Sequence, residues 1–138
     1  MPDPHHQPTR RLIYSSTAVG DDRDVDLSDI LQSSRVNNAL DGITGLLWSD
    51  GREYVQVVEG AGLAVAETFE RIRSDPRHRD VAVLSDQADV ERAFIYWTMA
   101  QLVPGEDSLE IRHHLNHLLR DAPPEVRSAF SNRQIVAR

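Results

Sequence analysis

Ile43-Thr44-Gly45-Leu46-Leu47-Trp48, Ser49-Asp50-Gly51-Arg52 and Tyr54-Val55-Gln56-Val57-Val58-Glu59 read in succession as a strand, a tight turn and a second strand. Asp-Gly readily supplies the positive φ that a short hairpin turn needs, and apolar runs flank it on both sides. Side chains two apart in a strand share a face, so Gln56 points the same way as Tyr54 and Val58. A primary amide carries two donors and two acceptor lone pairs. Burying them unpaired costs roughly 1–3 kcal/mol. Gln56 therefore needs polar partners inside the fold. Two other strand-like segments offer them: Tyr14 in Leu12-Ile13-Tyr14-Ser15-Ser16, and Trp97 in Phe94-Ile95-Tyr96-Trp97-Thr98-Met99. A polar cavity built into a core in this way suits a planar, hydrogen-bonding ligand.

Working outward, Arg11 to Ser16 forms a first short strand. Val25 to Val36 has helical spacing through Leu27, Ile30 and Leu31, with Asp24 or Asp26 as N-cap, and Asn37-Asn38 and Asp41-Gly42 end it. After the Gln56 strand, Gly60 to Gly62 break the chain before a helix over Ala64–Ser74, where Val65, Phe69 and Ile72 repeat on one face. Asp75-Pro76-Arg77-His78 stops that helix, because a residue before proline avoids the helical region. Val81 to Leu84 reads as a fourth strand and Phe94 to Gln101 as a fifth.

The order is βαββαββ, an α+β chain with a ferredoxin-like sheet and two helices on one face. Beyond Pro104-Gly105, Ile111, Leu115, Leu118 and Leu119 form an apolar helical stripe, and Ala122-Pro123-Pro124 turns into a last helix around Glu125–Phe130. These C-terminal helices are expected to cover the sheet's other face. The expected organisation is a tail over 1–9, a ligand-binding domain over 10–103 and a helical extension over 104–138.

The 138 residues carry 15 basic and 22 acidic side chains, a net charge of −7 that repels nucleic acid. No apolar run approaches the ~20 residues of a membrane span. Met1 to Pro8 lacks the apolar core of a signal peptide, which makes a cytoplasmic location the default expectation. There is no cysteine, so disulfides, zinc-thiolate sites, cysteine nucleophiles and cysteinyl-flavin photochemistry are all excluded.

The segments also resemble a known family. Leu12-Ile13-Tyr14-Ser15-Ser16, Leu27-Ser28-Asp29-Ile30-Leu31, Ser34-Arg35-Val36-Asn37-Asn38, Asp41-Gly42-Ile43-Thr44-Gly45-Leu46-Leu47, Gln56-Val57-Val58-Glu59-Gly60, Arg71-Ile72 with Asp75-Pro76-Arg77-His78, and Trp97-Thr98-Met99-Ala100 follow the order of a BLUF domain. BLUF domains are blue-light sensors that use flavin adenine dinucleotide (FAD). The resemblance spans Arg11 to about Leu102.

It implies that Tyr14 donates an electron and a proton to the photoexcited flavin. Gln56 then bridges Tyr14 and the flavin N5/C4 carbonyl edge, and changes orientation or tautomer in the signalling state. Asn38 holds the ring's carbonyl and N3 edge, Ile30 packs on the ring, and Ser16 lies near it. Trp97 and Met99 carry the change into the fifth strand. Arg35, Asn37, Arg71, Asp75, Arg77 and His78 are further candidates for the flavin edge and its ribityl-phosphate tail.

The chemistry of these residue types agrees. A tyrosine with a pKa near 10 rests protonated, and a glutamine can exchange its donor and acceptor ends without changing charge. The function implied is a short photoreceptor, not an enzyme, that signals through the C-terminal helices to a separate effector protein as a homodimer or higher oligomer. A flavoenzyme and a cofactor-free ferredoxin-like interaction module are the alternatives.

Trp48 stands where the family more often has an aliphatic residue or tyrosine, and is expected at the surface or an interface. An off-pathway electron donor is its other reading. His113, His114 and His117 invite a metal reading, and His113 and His117, four apart on a helix, could bind a divalent ion weakly. The pair lacks a third ligand at convincing spacing, so no metal site is expected and a solvated helix face is the better reading.

Overall fold

The computed structural model describes residues 9–19, 42–94, 100–102, 109–120, 122–133 and 135. Strand β1 (Thr9–Ala18) runs antiparallel to β3 (Glu53–Ala61), which pairs in turn with β2 (Thr44–Ser49) across the hairpin. β4 (His78–Gln87) lies along the outer side of β1, and β5 (Ala100–Leu102) runs parallel to β2. The sheet order is β4-β1-β3-β2-β5. This is the ferredoxin-like α+β arrangement, extended by one strand at the β2 edge.

The hairpin turn sets the register of the centre. Gly51 takes φ +92°, and Asp50 Oδ1 accepts the amides of Arg52 and Glu53 at 2.8 and 2.9 Å. With Ser49 opposite Tyr54, Leu47 falls opposite Gln56 and Thr44 opposite Glu59. Gly45 is required for a different reason: a Cβ there would sit 1.9 Å from the Val57 carbonyl oxygen.

Alternation along β1 and β3 divides the core in two. Leu12, Tyr14, Ile43 and Val58 pack on one face beneath α1 (Gly62–Arg73), which contributes Val65 with Phe69 and Ile72 beside it. Ile13, Leu46, Trp48, Val55 and Val57 face the other way. There α2 (Leu109–Arg120) and α3 (Pro124–Asn132) cover them with Leu115, Leu118, Leu119, Val126 and Phe130. Pro124 suits the first turn of α3, since proline lacks only an amide proton that would go unused there. Each fully buried aliphatic or aromatic side chain is worth about 1.5–3 kcal/mol. The stripe read from sequence thus holds the C-terminal helices against the sheet.

Several expectations need correction. β4 begins at His78 rather than Val81, so His78 belongs to a strand and not to the stop after α1. Gly60 lies inside β3, and the helix starts at Gly62. Phe94 is not in a strand. It lies in an irregular strap, where its amide is taken by Glu59 Oε1 at 2.9 Å instead of by a neighbouring strand. Trp48 is not a surface residue: it is 4% exposed, because the parity of β2 turns it beneath the C-terminal helices. That face is opposite to Tyr14. The helix expected over Val25–Val36 lies outside the described residues.

Candidate functional site

Tyr14 and Gln56 stand directly opposite one another on β1 and β3. They are 1% and 4% exposed, and Tyr14 Oη donates directly to Gln56 Oε1. Burial pushes the Tyr14 phenol well above the ordinary tyrosine range, and the nearby Asp75 and Tyr54 act in the same direction. The phenol is therefore protonated throughout the physiological range, and its Oη–H points at the amide oxygen. The amide nitrogen is turned away from it.

Leu47, Tyr54 and Ile72 join Tyr14 and Gln56 in one cleft, together with Asp75, Arg77 and His78. Leu47 comes from β2 and is the cross-strand partner of Gln56. Tyr54 lies two residues earlier on the same face of β3. Phe69 sets the edge of its ring against Tyr14 at 5.6 Å and 64°. The His78 ring lies 5.6 Å from Tyr54 and 6.5 Å from Tyr14.

The turn after α1 brings charge to this cleft. Asp75 Oδ1 accepts the backbone amide and the Nε of Arg77, both at 2.9 Å. These bonds hold the Asp75 carboxyl below its usual range. His78 Nδ1 lies 3.0 Å from Ser16 Oγ on β1. Burial lowers the His78 pKa, against an opposing pull from Asp75 and the Ile72 carbonyl, so the imidazole is neutral at neutral pH.

The structure therefore gathers Tyr14, Gln56, Asp75, Arg77 and His78 around one cleft, with Ser16 bonded to His78 behind them. Arg71 is exposed on α1, donates to Thr68 Oγ1 at 3.2 Å and does not line the cleft. Ile30, Arg35, Asn37, Asn38, Trp97 and Met99 lie outside the described residues. On α2, His113 and His117 are exposed, while His114 turns its Nδ1 to the Ala93 carbonyl at 2.7 Å.

The sequence reading missed two features. Leu47 was legible in principle, since a four-residue hairpin loop pairs it with Gln56. Glu59 gave a weaker signal. It is fully buried on the opposite face, where Arg11, its cross-strand neighbour, donates Nε to Oε2 at 2.8 Å.

Residues 10–100 match the model of the BLUF family, described as sensors of blue-light using FAD. The chain belongs to the BLUF family. Photoactivated adenylate cyclase subunit beta of Euglena gracilis is 37% identical over 89 residues, 64% of this chain and 10% of the cyclase subunit. Its counterpart in Euglena longa is 36% identical over the same length. The chain thus spans 10% of the length of these curated relatives.

Among solved structures, BlrB, a BLUF protein in its dark state, aligns with a TM-score of 0.69 and 31% identity over 88% of this chain and 91% of that one. Klebsiella pneumoniae BlrP1, in a manganese and cyclic diGMP complex, aligns with a TM-score of 0.74 and 32% identity over 88% of this chain and 32% of that one.

BLUF domains bind FAD, and the chemistry of this cleft fits that cofactor. An isoalloxazine ring has apolar faces and a rim of hydrogen-bonding atoms. Leu47 and Ile72 offer apolar wall, and Tyr14 with Gln56 offers donors and acceptors at the rim. Arg77 supplies a guanidinium on the wall, a group suited to phosphate oxygens.

Proposed function

We propose that this BLUF chain senses blue light by a hydrogen-bond switch between Tyr14 and Gln56. The observation that carries the reading is the direct bond from Tyr14 Oη to Gln56 Oε1 on the wall of the cleft. FAD, when bound, supplies the blue-light absorption and, once excited, an acceptor for an electron from a nearby phenol. Tyr14 would supply that electron, and its Oη proton already has an acceptor in place at Gln56 Oε1. In the signalling state the Gln56 amide would be reversed or tautomerised, so that a donor stands where an acceptor stood. The rearranged state relaxes in the dark.

The remaining side chains bind and orient. Asp75 fixes Arg77 on the wall of the cleft, where its guanidinium would hold the cofactor's phosphates. Neutral His78, backed by Ser16, stands beside both tyrosines without adding charge. By the same reading Asn38 holds the ring's polar edge, Ile30 packs on its face, and Arg35, Asn37 and Arg71 contribute to the tail. Trp97 and Met99 lead toward β5, which pairs with β2 at Leu46–Trp48.

The sensor occupies residues 10–103, and the helices of 104–138 pass its state to a separate effector from a homodimer or higher oligomer. The chain itself catalyses no reaction on a substrate, and it acts in the cytoplasm. Among the described residues no helix is long and apolar enough to cross a membrane. The acidic balance disfavours direct contact with DNA.

The test is spectroscopic. The purified protein is expected to be yellow, with a flavin band that moves reversibly to longer wavelength under blue light and returns in the dark without bleaching. Tyr14→Phe and Gln56→Leu should each retain the flavin and lose the shift. A normal photocycle in both variants would sink the switch.

A further inference from the structure

Residues 90–94 form a strap with no helix or strand of its own, yet it is tied to the rest of the domain at nearly every residue. Val90 donates its amide to the Thr9 carbonyl at 3.0 Å. The Glu91 carbonyl accepts Arg11 Nη2 at 2.6 Å. Arg92 Nη1 reaches the Gly42 carbonyl at 3.0 Å and Thr44 Oγ1 at 3.2 Å. The amides of Ala93 and Phe94 both donate to the Glu59 carboxylate, Phe94 at 2.9 Å and Ala93 at 3.0 and 2.9 Å to its two oxygens. Phe94 is fully buried, and its ring lies 6.1 Å from that of His114.

Ala93 is the centre of this arrangement. Its N–H is held by Glu59 of β3, and its carbonyl is held by His114 of α2 at 2.7 Å. A carbonyl oxygen can only accept, so His114 Nδ1 carries the proton. The carboxylate end is stiffer. Two consecutive amides and the Arg11 guanidinium occupy its oxygens, and hydrogen bonds to a charged group are about twice as strong as neutral ones.

Glu59 lies three residues from Gln56 on β3, roughly 10 Å along the strand. An odd separation puts the two side chains on opposite faces of the sheet. Gln56 meets the cleft and Glu59 meets the strap. A displacement of β3 produced on one face is therefore delivered to the other.

We infer that Glu59 and His114 are positioning residues of the light response, which couple β3 to α2 through the Ala93 peptide. This rests on Gln56 being the switch. The coupling does not need the Trp97 and Met99 segment, because the strap reaches α2 directly.

The experiment uses the full chain with FAD bound, as wild type, His114→Leu and His114→Gln. Two signals are recorded in the dark and under steady blue light: the visible spectrum and the hydrogen exchange of the α2 amides. The wild type is expected to show the red shift together with a light-dependent change in α2 exchange. His114→Leu should keep the red shift and lose the α2 change about fivefold or more, the low end of ordinary coupling between sites. His114→Gln, whose amide can still donate to the Ala93 carbonyl, should restore most of it.

A purely structural role would raise α2 exchange equally in dark and light and leave the difference intact, which overturns the inference. So does a wild type that shifts its spectrum with no change in α2, or a His114→Leu variant that loses the shift itself. Absence of the red shift in the wild type overturns the Gln56 reading first, and this one with it.

Discussion

Gln56 and Glu59 are both polar, both buried and both on β3, but the two faces of the sheet treat them differently. On the cleft face, Gln56 is a neutral amide bonded to a neutral phenol. On the helix face, Glu59 meets a guanidinium and two backbone amides, and every one of those contacts is a donor. A carboxylate can only accept, so its partners admit one arrangement. An amide has donor and acceptor ends of nearly the same shape, so its site admits two. The contrast separates a group that can switch from a group that can only hold.

Exchanging the two chemistries is the sharpest way to break this comparison. Gln56→Glu replaces the reversible amide with a group that cannot present a donor when ionised, and complete loss of the reversible red shift is expected with flavin still bound. Retention of a shift of normal size would erase the distinction. Glu59→Gln should act on stability instead. Its new NH₂ faces the donors of Arg11, Ala93 and Phe94, and breaking a buried ion pair from one side costs about 3–5 kcal/mol. Urea unfolding measures this, and below the transition the red shift should survive.

Trp48→Phe probes the helix face without touching either polar group. The lost volume should lower stability by about 1–2 kcal/mol in the same urea titration, less than the 3–5 typical of truncating a buried aromatic to alanine. The red shift should be unchanged, because the sheet stands between Trp48 and the cleft.

The smallest effect concerns pH. The folded state holds the His78 pKa below its ordinary value of 6.5, so the unfolded chain binds more protons between that lowered value and 6.5. Stability should therefore fall as pH drops from about 6.5 and stop falling below the folded value. His78→Gln should flatten that part of the melting-temperature profile, while an unaltered profile would show the imidazole to be indifferent.

Much of this was legible from residue order. Asp50-Gly51 marked the hairpin, alternation around Gln56 marked its face, and the Leu115 stripe marked helices that must bury one side. The failures share a cause. Phe94 read as strand because it is aromatic and sits in an apolar run, yet a carboxylate 35 residues earlier takes its amide. Trp48 read as surface because parity gives relative faces and does not say which face a distant helix will cover. His78 read as part of a helix stop, whereas pairing with Ala18 on β1 draws it into β4.

The sequence by itself determined the strands, the helices beyond the sheet, the need of Gln56 for a partner and, through resemblance, the BLUF family. These follow from local periodicity and turn chemistry, which act over a few residues. Only the tertiary structure decided that Gln56 turns its Oε1 to Tyr14, that Glu59 anchors the strap, and that His114 joins the strap to α2. Those pairings depend on strand order and helix docking between segments 21 to 48 residues apart. Burial then makes each buried donor and acceptor answer to the others.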